Sequence, residues 1–173
     1  MLKWISVPFV LVSVAISMAA QSKPSIEGVW RMVELTITDS PAGRRDPFGA
    51  YGAGTHTRLQ PDLMIFTAKH YSRTTDTGAE PRPTIPYKVS GNPTLDELQA
   101  EWGPFVANAG TYELSGTTLT LRAVVAKNPR AQREKNFTRL TVKLEGTNLW
   151  MTPVDTETGP IPNPVTTKFV RIE

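Results

Sequence analysis

Hydrophobic and polar residues alternate over short stretches along most of this chain. From Gly28 to Thr38, Val29, Val33, Leu35 and Ile37 keep a two-residue period, which predicts a long strand with one buried face. Leu63-Met64-Ile65-Phe66-Thr67 and His70-Tyr71-Ser72-Arg73-Thr74 flank Ala68-Lys69 as the arms of a hairpin. Thr111 to Leu114 and Thr117 to Val125 meet at Ser115-Gly116, a tight-turn dipeptide. Phe137 to Leu144 places Leu140, Val142 and Leu144 on one face, and Glu145 to Asn148 turns the chain into Leu149 to Pro153. Thr166 to Ile172 is the last strand.

One stretch breaks the two-residue rhythm. Leu95, Leu98 and Trp102 share a helical face, with Asp96, Glu97 and Glu101 off it. Thr94 and Glu97 form a capping box, and Gly103-Pro104 ends the helix. The Pro, Gly and Thr of residues 76–93 read as an extended loop, too long for a mere connection. The fold expected is therefore all-β: an up-and-down antiparallel barrel of about eight strands, with one short helix in a long insertion over 76–109. Sequential hairpins with single-faced patterning close without leaving edges; a β-sandwich is the alternative.

The hydrophobic pattern at the N-terminus is of another kind. Lys3 precedes an apolar run from Trp4 to Ile16, and Ser17-Met18-Ala19-Ala20 supplies small residues, the order of a secretory signal peptide. Residues 1–20 are expected to be removed near Ala19/Ala20, leaving an exported (periplasmic or secreted) barrel domain over 26–173 with no stable membrane anchor. An uncleaved anchor is the competing reading, but the run is short for about 30 Å of hydrocarbon. No cysteine is present, so lipidation, disulfides and thiol chemistry are all excluded.

Composition sharpens this picture in two places. The hydrophobic fraction of 39% includes the leader, and the remainder is leaner and holds 22 threonines, a β-leaning content. A formal charge of +3 over 173 residues is a weak footprint for a nucleic-acid binder. The basic stretch Lys127, Arg130, Arg133, Lys135 with Arg139 reads as a solvated connection, with contact to an anionic surface as the other possibility.

Candidate chemistry is sparse. There are two histidines, His56 and His70, without metal-ligand spacing, and no nucleophile elbow, P-loop or dinucleotide fingerprint. No metal, cofactor or catalytic residue is expected. Tyr71 and Arg73 share one face of their strand; if it is the inner face, Arg73 needs a partner, for which Glu113 and Glu101 are candidates. Such a group either binds a carboxylate or carbonyl or satisfies itself. Phe66, Tyr71, Arg73, Trp102, Phe105 and Tyr112 are the candidate ligand-binding residues.

Gly28-Val29-Trp30 opens the first strand with a Gly-x-Trp triplet. Together with Asn108 to Glu113, Gly116 to Thr120, Ala126 to Pro129 and Phe66-Thr67 before Tyr71-Ser72-Arg73, it gives the chain a resemblance to the bacterial lipocalin-like proteins of the calycin group. A second lipocalin motif, a Thr-Asp-Tyr-like loop, has no counterpart here. The resemblance implies a barrel-end contact in which Arg171 (or Lys168) lies over Trp30. It also implies binding of a small, largely apolar molecule at the open end, under the insertion as a lid. A barrel enzyme of isomerase or cyclase type acting on a hydrophobic substrate is the alternative, and a filled structural or interaction barrel a third.

Overall fold

In a computed structural model of the chain, residues 25–38, 53–78, 80–82 and 91–173 are described. The leader over 1–20, most of the loop from Asp39, and residues 79 and 83–90 of the 76–93 loop read as a lid lie outside the described residues. Ten strands follow in order: β1 (Gly28–Ile37), β2 (Gly54–Thr57), β3 (Asp62–Phe66), β4 (His70–Asp76), β5 (Phe105–Ser115), β6 (Thr118–Ala126), β7 (Thr138–Glu145), β8 (Asn148–Thr156), β9 (Gly159–Pro160) and β10 (Val165–Arg171). Helix α1 (Leu95–Trp102) lies between β4 and β5, and a single 3-10 turn spans Pro129–Gln132.

Eight of these strands close a ring. Every neighbour is antiparallel in the order β10-β1-β3-β4-β5-β6-β7-β8, and β8 returns to β10 through Thr167 opposite Met151 and Phe169 opposite Leu149. The all-β up-and-down barrel expected from the patterning is therefore the fold. Strand β2 lies on the same side of β1 as β3, against Glu34 to Ile37, whereas β3 pairs with Gly28 to Trp30. The two are one barrel stave interrupted at residues 58–61, where Pro61 has no N–H to give to a ladder. At the break Arg58 keeps a backbone bond to Val33 O at 2.7 Å and turns its side chain into the protein.

The ladders shift register at three places, one of them between Arg139 and Leu140 where β7 meets β8, and the other two correct the simple two-residue reading. The ladder between β1 and β10 shifts register between Met32 and Glu34, so the buried residues of β1 are Trp30, Met32, Leu35 and Ile37. Val29 and Val33, expected on the inner face, are only half-buried, because an extra residue inverts the phase of a strand. The second bulge falls between Ala109 and Gly110, on β5 opposite β6. A Cβ at Gly110 would stand 1.9 Å from the carbonyl oxygen of Arg122, so no side chain fits there. Strand β5 also starts at Phe105 rather than near Thr111. Residues 105–109 are thus barrel wall, and the insertion ends at Pro104. Its Ala-Asn-Ala-Gly run lacks the β-branched residues that announce a strand.

The interior is filled most densely toward one end. Although Leu35, Ile37 and Val165 carry buried wall toward the other end, Trp30, Met32, Met64, Phe66, Leu119, Leu149 and Phe169, all almost wholly inaccessible, gather at this one. This is the end carrying the β3–β4, β5–β6 and β7–β8 hairpins. An eight-stranded ring is just wide enough for such side chains to meet across it. At the other end the ring loosens: β6 pairs with β7 only from Thr118 to Leu121, and its last residues run free of β7. The 3-10 turn and Phe137 bridge the chain across that gap.

Candidate functional site

At the packed end, Trp30 donates its indole N–H to Ile26 O at 2.7 Å and is 0% exposed. The Arg171 guanidinium carbon stands 4.3 Å from the Trp30 ring centroid. Its Nη2 bonds Ser25 O at 2.6 Å and its Nη1 bonds Glu27 O. Gly28 makes this possible: a Cβ there would meet Arg171 Nη1 and Glu173 O at 2.5 Å, and its φ of 134° suits glycine alone. Lys168 instead sits over Trp150 at 5.7 Å and pairs with Glu34. The Gly-x-Trp triplet thus has a mechanical basis in which glycine admits the arginine that closes the barrel over the tryptophan. A cation–π contact of this kind contributes about 0.5–2 kcal/mol.

Above this floor the interior turns polar. Tyr71, Arg73 and Thr75 alternate along β4 on the face that also carries buried Asp62, Met64 and Phe66 of β3, because Tyr71 pairs with Phe66, Arg73 with Met64 and Thr75 with Asp62. Asp62 is the hub. Its Oδ1 accepts the Met32 backbone N–H at 3.2 Å, and its Oδ2 accepts the Thr75 hydroxyl. Arg73 Nε donates to Thr75 Oγ1 at 3.0 Å. Asp62, not Glu113 or Glu101, is therefore the acid coupled to Arg73. No alternation rule finds it, since the pairing depends on which strand follows the break at residues 58–61.

Electrostatics mark the same cluster. Burial raises the Asp62 carboxyl above its ordinary value, although Thr75, Arg73, Met32 N–H and Arg58 all work against the rise. Burial also pushes the Tyr71 hydroxyl up to about 12, with Arg73 opposing. The Arg73 guanidinium is lowered by burial first, then supported by Asp62 and Tyr71. Yet Arg73 is only half-buried by accessible surface. The Arg73 side chain is thus surrounded by protein and still keeps part of its surface accessible. Its neighbours agree: Asn108, directly opposite Arg73 on β5, and Leu121 and Ala123 on β6 are half-buried, whereas Leu149, Met151, Val165 and Phe169 on the far wall are buried. Nη1 and Nη2 of Arg73 donate to nothing among the described residues.

The other candidate residues divide into two groups. Phe66 and Tyr112 pack edge to face at 5.2 Å beside Tyr71, and the Tyr112 hydroxyl donates to Thr67 O at 2.7 Å, toward the packed end. Trp102 and Phe105 also meet edge to face, at 6.3 Å, but with α1 rather than with the interior cluster. Phe105 pairs with Asp76 and so lies across the sheet from Thr75 and Val106. Arg82 caps this second group, 4.8 Å over Phe105 and 2.8 Å from Asp76 Oδ2. His70 is exposed, on the outer face.

Among the described residues no group of His, Cys, Asp or Glu could hold a metal ion, and no helix is long and apolar enough to cross a membrane. A separate groove of about 280 Å³ lies on the outer wall, lined by Thr141, Val142, Lys143, Trp150, Thr152 and Thr166. Lys143 and Lys168 flank its tryptophan, each already paired with a glutamate. The fold defines the class: a closed eight-stranded antiparallel barrel, compatible with the calycin architecture. No protein-family model matches the chain, and no curated protein matches it in sequence.

Proposed function

We propose that the chain is an exported, lipocalin-like binding barrel for a small, largely apolar molecule carrying one carboxylate or carbonyl group. The observation that carries this reading is Arg73. Its side chain keeps part of its surface accessible, Nε is fixed on Thr75, and Nη1 and Nη2 have no acceptor among the described residues. An arginine held by one nitrogen and free along its outer edge offers the two parallel donors that a planar oxyanion accepts. Tyr71 adds a hydroxyl that stays protonated at any physiological pH. The half-buried Leu121 and Ala123 supply apolar wall, where enclosure stabilises by about 25 cal/mol per Å² removed from water.

The test pairs ligands differing only at the head. Dodecanoic acid is expected to raise the melting temperature more than dodecanol does, and Arg73→Gln is expected to abolish that difference while leaving the alcohol's effect. Native mass spectrometry of protein from its own host should show a co-purifying small molecule. If nothing co-purifies and no amphiphile shifts the melting temperature, the binding reading fails. A second reading, a barrel enzyme acting on a hydrophobic substrate, draws on the raised Asp62 carboxyl beside Tyr71 and Arg73. Conversion of a co-purified ligand by the wild type and not by Asp62→Asn would favour it.

A further inference from the structure

Helix α1 is mounted with its apolar side outward. Leu95, Leu98 and Trp102 form its single apolar stripe, yet they are 69%, 38% and 48% exposed, while Glu97 is 7% exposed. The capping box accounts for part of this. Glu97 Oε2 accepts the Thr94 N–H at 2.6 Å and the Thr94 hydroxyl at 2.7 Å, which holds the acid at the protein side of the first turn. At the other end Arg82 Nη1 donates to Glu101 O at 3.2 Å. An amphipathic helix ordinarily buries its apolar stripe; here it contributes almost nothing to the core, and a contiguous exposed apolar patch signals an interaction surface.

The neighbouring chain says what kind. Lys127 Nζ donates to Phe105 O at 2.8 Å and to Trp102 O, which fastens the C-terminal end of α1 to the end of β6. Immediately beyond comes the 3-10 turn, where Arg130, Arg133 and Lys135 are exposed. Glu134 is the one acid between Arg122 and Arg139. Val124 and Val125, 70% and 59% exposed, leave apolar side chains uncovered on the two faces of β6 just before the same turn. Apolar stripe and basic turn thus lie side by side at the loosened end of the barrel. The helix itself carries the acids Asp96 and Glu101 off the stripe, so a partner that accepts the apolar side chains is favoured in carrying negative charge where it meets the basic turn.

We propose that this face docks reversibly on an anionic lipid bilayer, with Leu95, Leu98 and Trp102 entering the interface and Arg130, Arg133 and Lys135 meeting lipid phosphates. The chemistry is that of interfacial helices: apolar insertion together with basic residues worth attraction to acidic lipids, screened by salt. Tryptophan suits the boundary because its ring is apolar and its N–H is wet. The proposal stands apart from the interior ligand site and does not depend on it.

Sedimentation of the full chain with vesicles tests it. Binding is expected to phosphatidylglycerol-containing vesicles, much weaker to pure phosphatidylcholine, and reduced in high salt. The triple variant Arg130→Glu, Arg133→Glu, Lys135→Glu should bind at least about thirtyfold more weakly. The variant Leu95→Ser, Leu98→Ser, Trp102→Ser should bind about tenfold more weakly with an unchanged melting temperature. Residues 1–24 are common to all these proteins, so equal binding by wild type and both variants would assign the interaction elsewhere and overturn the proposal. So would no binding to acidic vesicles, or a dimer in vesicle-free solution that the Leu95, Leu98, Trp102 variant dissolves.

Discussion

The two ends of the barrel solve opposite problems. At the Trp30 end the large side chains interlock: the indole bonds Ile26 O, Arg171 covers the ring and binds two carbonyls, and Phe66 meets Tyr112 edge to face. At the other end charge joins hydrocarbon, since Ile37 and Val165 are buried there as well. Asp62, Arg58, Arg73 and Asp76 sit within or beside the ring, a stave is broken at residues 58–61, and β6 parts from β7 after Leu121. One Asp76 oxygen is buried without a hydrogen bond among the described residues. Each polar group kept there costs desolvation that a leucine would not. The apolar floor and the buried polar groups are thus set apart along the barrel axis, with the packed end compensating for the polar one.

The severest challenge to this division is Trp30→Ala. Removing the largest fully buried side chain leaves a cavity enclosed by the core and strips Arg171 of the ring it covers. A loss of about 3–5 kcal/mol is expected in denaturant unfolding. By contrast, Arg73→Gln should cost far less, because Arg73 is only half-buried and glutamine keeps a polar group in its place. Equal losses at the two positions would show that the polar end is as tightly integrated as the floor.

A change in pH sharpens the boundary between the ends, which runs through Tyr71. Its folded value of about 12 lies above the ordinary 10, so the unfolded chain releases this proton first. The stability it lends is complete below pH 10 and is lost as pH rises from 10 through 12. The wild type should therefore lose about 2–3 kcal/mol relative to Tyr71→Phe across that window, at about 1.36 kcal/mol per unit. Chemical denaturation of both proteins at several alkaline pH values reads the difference. Parallel curves would mean that the hydroxyl is hydrated in the folded state.

Much of the packed end was legible beforehand. Alternation around Leu140, Val142 and Leu144, and the Gly-Val-Trp triplet, state local rules that the barrel follows, with Leu140 and Val142 buried and Leu144 half-buried. Reading failed where long-range geometry decides. The β1 bulge inverted Val29 and Val33 because bulges carry no composition of their own, and residues 105–109 joined the wall through pairing with β4 rather than through propensity. In the site, Tyr71 and Arg73 were visible as a pair on one face, but Asp62 was not, since nothing in the text around Pro61-Asp62 distinguishes a buried acid from a turn residue. The helix was found with its cap, and its orientation was not. An apolar stripe specifies that something should cover it, not that the covering group belongs to the same chain.

The smallest expected effect concerns that helix. Thr94→Ala removes the Thr94 hydroxyl, which accepts the Glu97 N–H at 3.3 Å and donates to the Glu97 carboxylate. The cap is worth about 1 kcal/mol to the helix. Because Leu95, Leu98 and Trp102 are exposed, α1 stabilises the barrel little, and its unwinding is a local event. Amide exchange at Leu98 and Gly103, whose N–H groups bond Thr94 O and Gln99 O, should quicken about fivefold, while the amides of β1 and β10 keep their protection. A fall in the global melting temperature beyond a degree or two would mean that α1 is part of the cooperative core. The contrast between the barrel's two ends would then have to be redrawn with the helix on the stable side.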